Sequence, residues 1–164
     1  MVCADRGRRV AEHHSMKRHA ALIPLSRDHH RALVIAKRLR AATPETAADT
    51  AQAFLAHWDA EEKRHFRIEE ELLLPAYAAY ADPNHPVVLR MLVDHALIRR
   101  DVEQLAHVAP LALLHDLGSR LASHVALEEH ELFPLIEAAL PEHDLQALGH
   151  RITRHETEAR VHVN

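Results

Sequence analysis

Apolar residues along the chain recur at spacings of three and four, the pattern that amphipathic α-helices produce. Strand-like alternation is absent, and only 3 Gly and 8 Pro interrupt the pattern. We therefore predict an all-α protein with four long helices. These are α1 over residues 26–42, α2 over residues 44–74, α3 over residues 86–108 and α4 over residues 111–133.

Short connections join the four predicted helices, which favours an antiparallel up-down-up-down four-helix bundle. Residues 21–140 are predicted to form this bundle, and residues 1–20 are predicted to be a flexible N-terminal tail. Residues 141–164 form a C-terminal extension. Its residues Leu145, Leu148 and Ile152 predict one short amphipathic helix.

The inward stripe of each predicted helix mixes polar residues with apolar ones. The stripes include Leu33 on α1, Leu92 on α3 and Glu131 on α4. Antiparallel packing brings the polar positions to one level, provided that α1 begins a little before residue 26. The candidate metal ligands on these stripes are His29, His65, Glu69, His95, His124 and Glu128.

An internal repeat contains most of these candidates. The segments HFRIEEELLLP (65–75) and HVALEEHELFP (124–134) both place Glu four and five residues after His, and Pro ten residues after it. The bare His-x3-Glu pair is weak evidence, because His57 and Glu61 form a third pair, but the extended template is far rarer by chance. An Asp-His pair in LSRDH (25–29) recurs in MLVDH (91–95), so His29 and His95 depend mainly on their places in the repeat.

The His-x3-Glu spacing suits metal binding. Helix residues four apart project from one face, about 6 Å apart along the axis, so one imidazole and one carboxylate can reach a shared ion. Four imidazoles and two carboxylates in an apolar core are costly unless they are paired or metal-bound. Imidazole and carboxylate without thiolate suit iron, manganese or zinc, and we predict two ions bridged by Glu69 and Glu128.

Composition narrows the class of protein. Histidine, with 17 residues, is the outlying count, and it is the commonest metal ligand. The single cysteine, Cys3, excludes an internal disulfide, and we predict a cytoplasmic protein. The formal net charge of −4 argues against nucleic acid and membrane surfaces as partners.

These residues resemble the hemerythrin-like, or HHE cation-binding, domains, and the resemblance covers about residues 22 to 140. It implies a four-helix bundle with a non-haem di-iron site whose ligands are the same six residues. Oxygen-carrying members have a second histidine four residues after the first one on the third helix, and this chain has Arg99 there. They also use an acid at the position of Glu129, which makes Glu129 a rival to Glu128, although the repeat favours Glu128.

The presence of Arg99 instead of this second histidine argues against reversible oxygen carriage. One expectation is that Arg99 places a positive charge near a bound anion. We predict a di-iron protein that binds or senses dioxygen or a related small oxidant, peroxide or nitric oxide, in a redox, stress or iron response. The alternatives are a di-iron oxidase or peroxidase-like enzyme, and a metal-stabilised helical module for protein interaction. A ferritin-type site needs Glu-x2-His on two helices, and only Glu62 and His65 offer it in the core. A zinc-only site and a metal-free hydrogen-bonded network also stay open.

Overall fold

The computed structural model describes residues 17–161, and this part of the chain contains five helices and no strand. Helix α1 is Ile23–Arg40, and a short 3-10 turn, Ala20–Leu22, precedes it. Helix α2 covers residues 47–78, α3 is Pro86–His107, α4 covers residues 111–139 and α5 is Glu142–Val161. The predicted all-α class is confirmed, and the fifth helix, which is predicted to be short, has 20 residues.

Helix α1 begins before residue 26, as the candidate site requires. The ring nitrogen Nδ1 of His19 accepts a hydrogen bond from the Ala21 N–H (3.1 Å), and Pro24 lies in the first turn of the helix. Proline suits that position because an N–H in the first turn has no partner within the helix, so its absence removes no hydrogen bond. The predicted start of α2 at Pro44 is wrong. The Thr43 N–H donates to Thr46 Oγ1 (2.9 Å) in a separate turn, and the helix begins at Ala47.

Two predicted helix ends are also wrong. Helix α2 continues through Pro75 to Ala78, and α4 continues through Pro134 to Ala139. Each proline follows a π-helical turn, Glu69–Leu73 in α2 and Glu128–Leu132 in α4. A π-helical turn already interrupts the ladder of i→i−4 hydrogen bonds, so a proline at the start of the next α-helical segment removes little. A further π-helical turn, Trp58–Glu62, lies earlier in α2.

The core consists of two apolar clusters with a polar layer between them. The first cluster includes Ala36, Leu39 and Leu121, and the second includes Leu25, Met91 and Leu132. On α1 and α3, buried polar residues lie between the members of the two clusters, and on α2 and α4 they lie where the two clusters meet. The polar layer is therefore enclosed by apolar packing above and below.

Helices α1 and α4 run in opposite directions, because His29 contacts Glu129 whereas Ala36, further along α1, lies beside Gly118. A Cβ atom at Gly118 would be 2.7 Å from the Ala36 carbonyl oxygen and 2.8 Å from Leu39 Cβ. Only glycine allows this close approach of the two helices. Helix α3 also packs against α4, since Asp101 accepts a hydrogen bond from Arg120 (3.1 Å).

Helix α5 is longer than the short helix predicted for the C-terminal extension. Leu145, Leu148 and Ile152 are buried in the second apolar cluster, as their spacing predicts. The helix packs on the 3-10 turn before α1, where a Cβ atom at Gly149 would be 2.9 Å from Ala21 Cα. Within residues 17–161 no helix is both long and apolar enough to cross a membrane.

Three residues assigned to the inward stripes are in fact exposed. Leu33 and Leu92 are 41% and 37% exposed, because the buried faces pass through their neighbours Ala32 and Met91. Glu131 lies within the π-helical turn of α4, which changes the helical period and turns Leu132 inward instead. The six candidate metal ligands are all buried, so this error does not affect them.

Candidate metal centre

The structure brings all six predicted site residues together in the polar layer. They form two groups that share Glu69 and Glu128, and within each group one possible ligand atom per residue lies within 4.8 Å of all the others. All six residues are at most 3% exposed. The first group adds His29 and His65 to the shared glutamates, and the second group adds His95 and His124.

Each His-x3-Glu pair meets on one face of its own helix, as the spacing predicts. His65 Nε2 lies 3.2 Å from Glu69 Oε1, and His124 Nε2 lies 3.2 Å from Glu128 Oε1. Glu69 and Glu128 are also the first residues of the π-helical turns of α2 and α4. Such turns occur frequently at functional sites, and these two follow the matching positions of the internal repeat.

Both shared carboxylates span the two groups with their two oxygens. Glu69 directs Oε1 towards His65 in the first group and Oε2 towards His95 in the second group, at 3.2 and 3.3 Å. Glu128 directs Oε1 towards His124 and Oε2 towards His29, at 3.2 and 3.0 Å. This is the arrangement that a carboxylate needs in order to bridge two ions.

The donor atoms at the centre fit a metal pair better than a hydrogen-bonded network. Both carboxylate oxygens of Glu69 and of Glu128 are buried without a hydrogen-bond partner, and so is Nε2 of His95 and of His124. The Nε2 atoms of His29 and His65 lie only 3.1 Å apart. Unsatisfied buried polar atoms are costly, and convergent nitrogens and carboxylate oxygens are the donors that iron, manganese and zinc accept.

Carboxylates also lie behind the histidines, and those that accept a hydrogen bond from Nδ1 fix which nitrogen faces the centre. Glu129 accepts from Nδ1 of His29 (2.6 Å), and Glu70 accepts from Nδ1 of His95 (2.7 Å). Asp28 lies 3.4 Å from Nδ1 of His65, and Asp94 lies 3.9 Å from Nδ1 of His124. A metal-bound histidine commonly has such a partner on its other nitrogen.

Sequence reasoning did not assign these outer partners, although the repeat contains the signal for them. The second glutamate of each template is Glu70 or Glu129, and the acid before each helix α1 or α3 histidine is Asp28 or Asp94. The structure brings Glu128 into both groups and places Glu129 behind His29. Glu129 therefore lies behind His29 and belongs to neither group.

The carboxylates strongly shift the pKa values of the histidines. Burial lowers the pKa of His29 and of His95, but hydrogen bonds to carboxylates outweigh it and raise the values to about 9 and about 10. For His124 burial prevails, and its pKa lies below the ordinary value. Burial raises the pKa of Glu69, yet His65 and His95 hold it well below its usual range. The shared glutamates therefore favour the ionised carboxylate form.

Other residues singled out in the sequence lie outside the two groups. Glu62 is buried, but its Oε1 lies 3.0 Å from Nε2 of His57, so the Glu-x2-His pair of a ferritin-type site is not assembled. His30 is exposed. The Arg99 guanidinium donates to Glu70 (2.8 Å) instead of entering the polar layer.

A helical protein with two overlapping His/Glu groups belongs to the class of helical metal-binding proteins, and comparison with known families agrees. The model of the family described as Hemerythrin HHE cation binding domain matches residues 11–136. The chain belongs to this family. Comparison with curated proteins found no match, and comparison with solved structures found none.

Proposed function

We propose that the protein binds two non-haem iron ions in the polar layer, each held by two histidines and the two shared glutamates. One observation carries this proposal: Glu69 and Glu128 each direct one oxygen into each group of histidines. The proposed ligands are the six residues predicted from the sequence, His29, His65, Glu69, His95, His124 and Glu128.

The scaffold of the proposed site is an antiparallel up-down-up-down bundle of α1 to α4. The opposite directions of α1 and α4 support this arrangement, as does the contact of Asp28 on α1 with His65 on α2. Helix α5 lies outside the ligand set, because both groups use residues of α1 to α4 alone. The proposed setting is the cytoplasm, where proteins seldom contain disulfides.

Four protein ligands per ion leave coordination positions open. Iron bound there would supply redox chemistry and a binding position for dioxygen, peroxide or nitric oxide. The apolar clusters on both sides of the layer exclude bulk water. We therefore propose binding or sensing of a small oxidant, in a redox, stress or iron response. Manganese and zinc accept the same donors, so the metal must be measured.

The test is elemental analysis of the full chain, produced with iron available and purified without an affinity tag, together with visible spectra. About two irons per chain, with a spectrum that changes on reduction and again on exposure to air or nitric oxide, support the proposal. The variant His57→Ala is the matched control and should retain both ions, because His57 bonds Glu62 outside both groups.

Three results would contradict the proposal. A chain without bound metal would favour an interaction module, and a single zinc ion without visible bands would favour a structural site. Sustained consumption of peroxide over many turnovers, with a suitable electron donor, would show an enzyme instead of a binding protein.

A further inference from the structure

Two arginines outside the candidate ligands contact the outer glutamates. Arg18 Nη2 lies 2.9 Å from Glu129 Oε2, and Arg99 Nη2 lies 2.8 Å from Glu70 Oε1. The same glutamates accept from Nδ1 of His29 and His95. An arginine, a glutamate and a histidine therefore follow one another from the surface to each group.

The same two arginines also contact an aromatic ring beside each histidine. The Arg18 guanidinium lies 5.1 Å from the ring centre of Phe133, which stacks on His29 at 5.3 Å. The Arg99 guanidinium lies 5.5 Å from the ring centre of Phe66, which stacks on His95 at 3.7 Å. Each arginine thus supports its histidine through a hydrogen-bonded carboxylate and through a stacked ring.

The internal repeat does not explain why Arg18 and Arg99 make matching contacts with a glutamate and a phenylalanine ring. Arg99 is on α3, whereas Arg18 precedes the first turn of the described fold. Phe66 directly follows His65, whereas Phe133 comes nine residues after His124. Arg18 makes two further contacts, with the Glu129 carbonyl oxygen (2.6 Å) and with Glu137 Oε1 (3.2 Å). Different parts of the chain therefore reach the same arrangement around His29 and His95.

We propose that Arg18 and Arg99 are positioning residues of the metal centre, each of which holds an outer glutamate and a phenylalanine ring against the imidazole of one group. This inference rests on the proposed function. Arg18 would act on the ion of the first group and Arg99 on the ion of the second group. The segment before α1 thereby becomes part of the centre. Arg99 would support the proposed ligand His95 from the position at which oxygen carriers have a further histidine.

The physical basis is charge and geometry combined. A guanidinium that donates to the glutamate holds the carboxylate in one place, and a fixed carboxylate acceptor orients the ring through the Nδ1–H hydrogen bond. The glutamates are only partly buried, with side chains 25% and 29% exposed, so without the arginine water would compete for their oxygens. A looser imidazole holds its ion less well.

The test compares the variants Arg18→Gln and Arg99→Gln with Arg90→Gln, in the full iron-loaded chain. Arg90 forms an exposed ion pair with Glu131 between α3 and α4 (3.4 Å), so this control removes the same charge at a position outside the proposed pair. The first readout is the rate at which a chelator removes each ion. The second readout is the visible spectrum of the cobalt(II)-loaded chain, which reports the ligand geometry and does not depend on activity.

Arg18→Gln and Arg99→Gln should each release one of the two ions about tenfold faster than the wild type and should shift the cobalt bands. Mutations of outer partners typically have effects of about 10- to 100-fold. Arg90→Gln should match the wild type in both readouts. Arg99→Lys should recover part of the loss, because lysine keeps the charge but lacks the planar group that lies over Phe66.

The outcomes separate this inference from the proposed function. A wild-type chain that holds no metal pair overturns both. A wild-type chain with two ions, whose release and cobalt spectrum are the same in Arg18→Gln, Arg99→Gln and Arg90→Gln, overturns the positioning role alone. A variant that unfolds more easily when metal-free, but holds its ions like the wild type, also overturns it.

Discussion

The two groups of the metal centre share their glutamates but differ in the support behind one histidine. In the first group, Asp28 lies 3.4 Å from Nδ1 of His65, and its side chain is 8% exposed. In the second group, Asp94 occupies the matching place in the repeat, but it lies 3.9 Å from Nδ1 of His124 and is 27% exposed. Nδ1 of His124 is buried without a hydrogen-bond partner.

Cations around Asp28 account for part of this difference. Arg31 and Arg64 approach Asp28 at 2.5 and 3.7 Å. Burial raises the pKa of Asp28, but His65 and Arg31 hold it below the ordinary value. Asp28 is therefore a fixed anion behind His65. One sequence template can therefore yield two histidines of unequal preorganisation, because residues outside the template contact the aspartate behind one of them.

The unequal support has a consequence for the proposed ions. Both proposed ions share Glu69 and Glu128. Only the first group has a buried, ion-paired aspartate behind the histidine of its His-x3-Glu pair. Outer partners typically change metal affinity by about 10- to 100-fold. The ion of the second group should therefore be the weaker one and should leave first.

The largest effect is expected where the two groups are joined. Glu69→Ala removes a ligand from both ions at once, so the purified variant should contain well below one ion per chain by elemental analysis. Glu71→Ala is the matched control, because Glu71 is exposed on the same helix and forms an ion pair with Arg67 outside both groups. Full retention of one ion in Glu69→Ala would show that this carboxylate serves a single group.

A smaller effect is expected when one group is broken and the other is left intact. His65→Ala and His124→Ala should each hold about one ion per chain, since each removes a ligand of one group only. Elemental analysis beside the His57→Ala control tests this expectation. Two tightly bound ions in His124→Ala would mean that His124 is not a ligand.

Much of this comparison could be predicted from the sequence, because helical periodicity and the repeat depend on local spacing. The repeat predicted that His65 and Glu69 meet on one helix face and that His124 and Glu128 do so on another, and the structure brings both pairs together. The choice of Glu128 over Glu129 at the shared position also followed from the repeat.

The remaining features depend on contacts that periodicity does not encode. The π-helical turns that begin at Glu69 and Glu128 change the helical period. A regular period therefore wrongly predicts that Glu131 faces inward and that the helices end before Pro75 and Pro134. The approach of Arg64 to Asp28 needs the packing of α2 on α1, and such a cross-helix pair has no fixed spacing in the sequence. Arg31, in contrast, lies three residues after Asp28 on α1 itself.

The smallest effect is expected from neutralising the two aspartates, and it tests the comparison directly. Asp28→Asn keeps the shape of the side chain but removes the charge behind His65, so the affinity of the first ion should fall about tenfold, or about 1.4 kcal/mol. Asp94→Asn should change the affinity of the second ion by less than about threefold, because Asp94 is partly exposed and distant from His124. Chelator competition on the iron-loaded variants measures both changes.

The two neutral variants also serve as controls for each other, since each removes one negative charge one residue before a proposed ligand. If the general loss of charge set the affinity, Asp28→Asn and Asp94→Asn would weaken binding equally. A larger effect for Asp94→Asn would reverse the comparison, and would mean that metal binding draws Asp94 onto His124. A larger effect for Asp28→Asn means that the outer shell is already formed behind His65 before any ion arrives, which makes the first group the site that fills first.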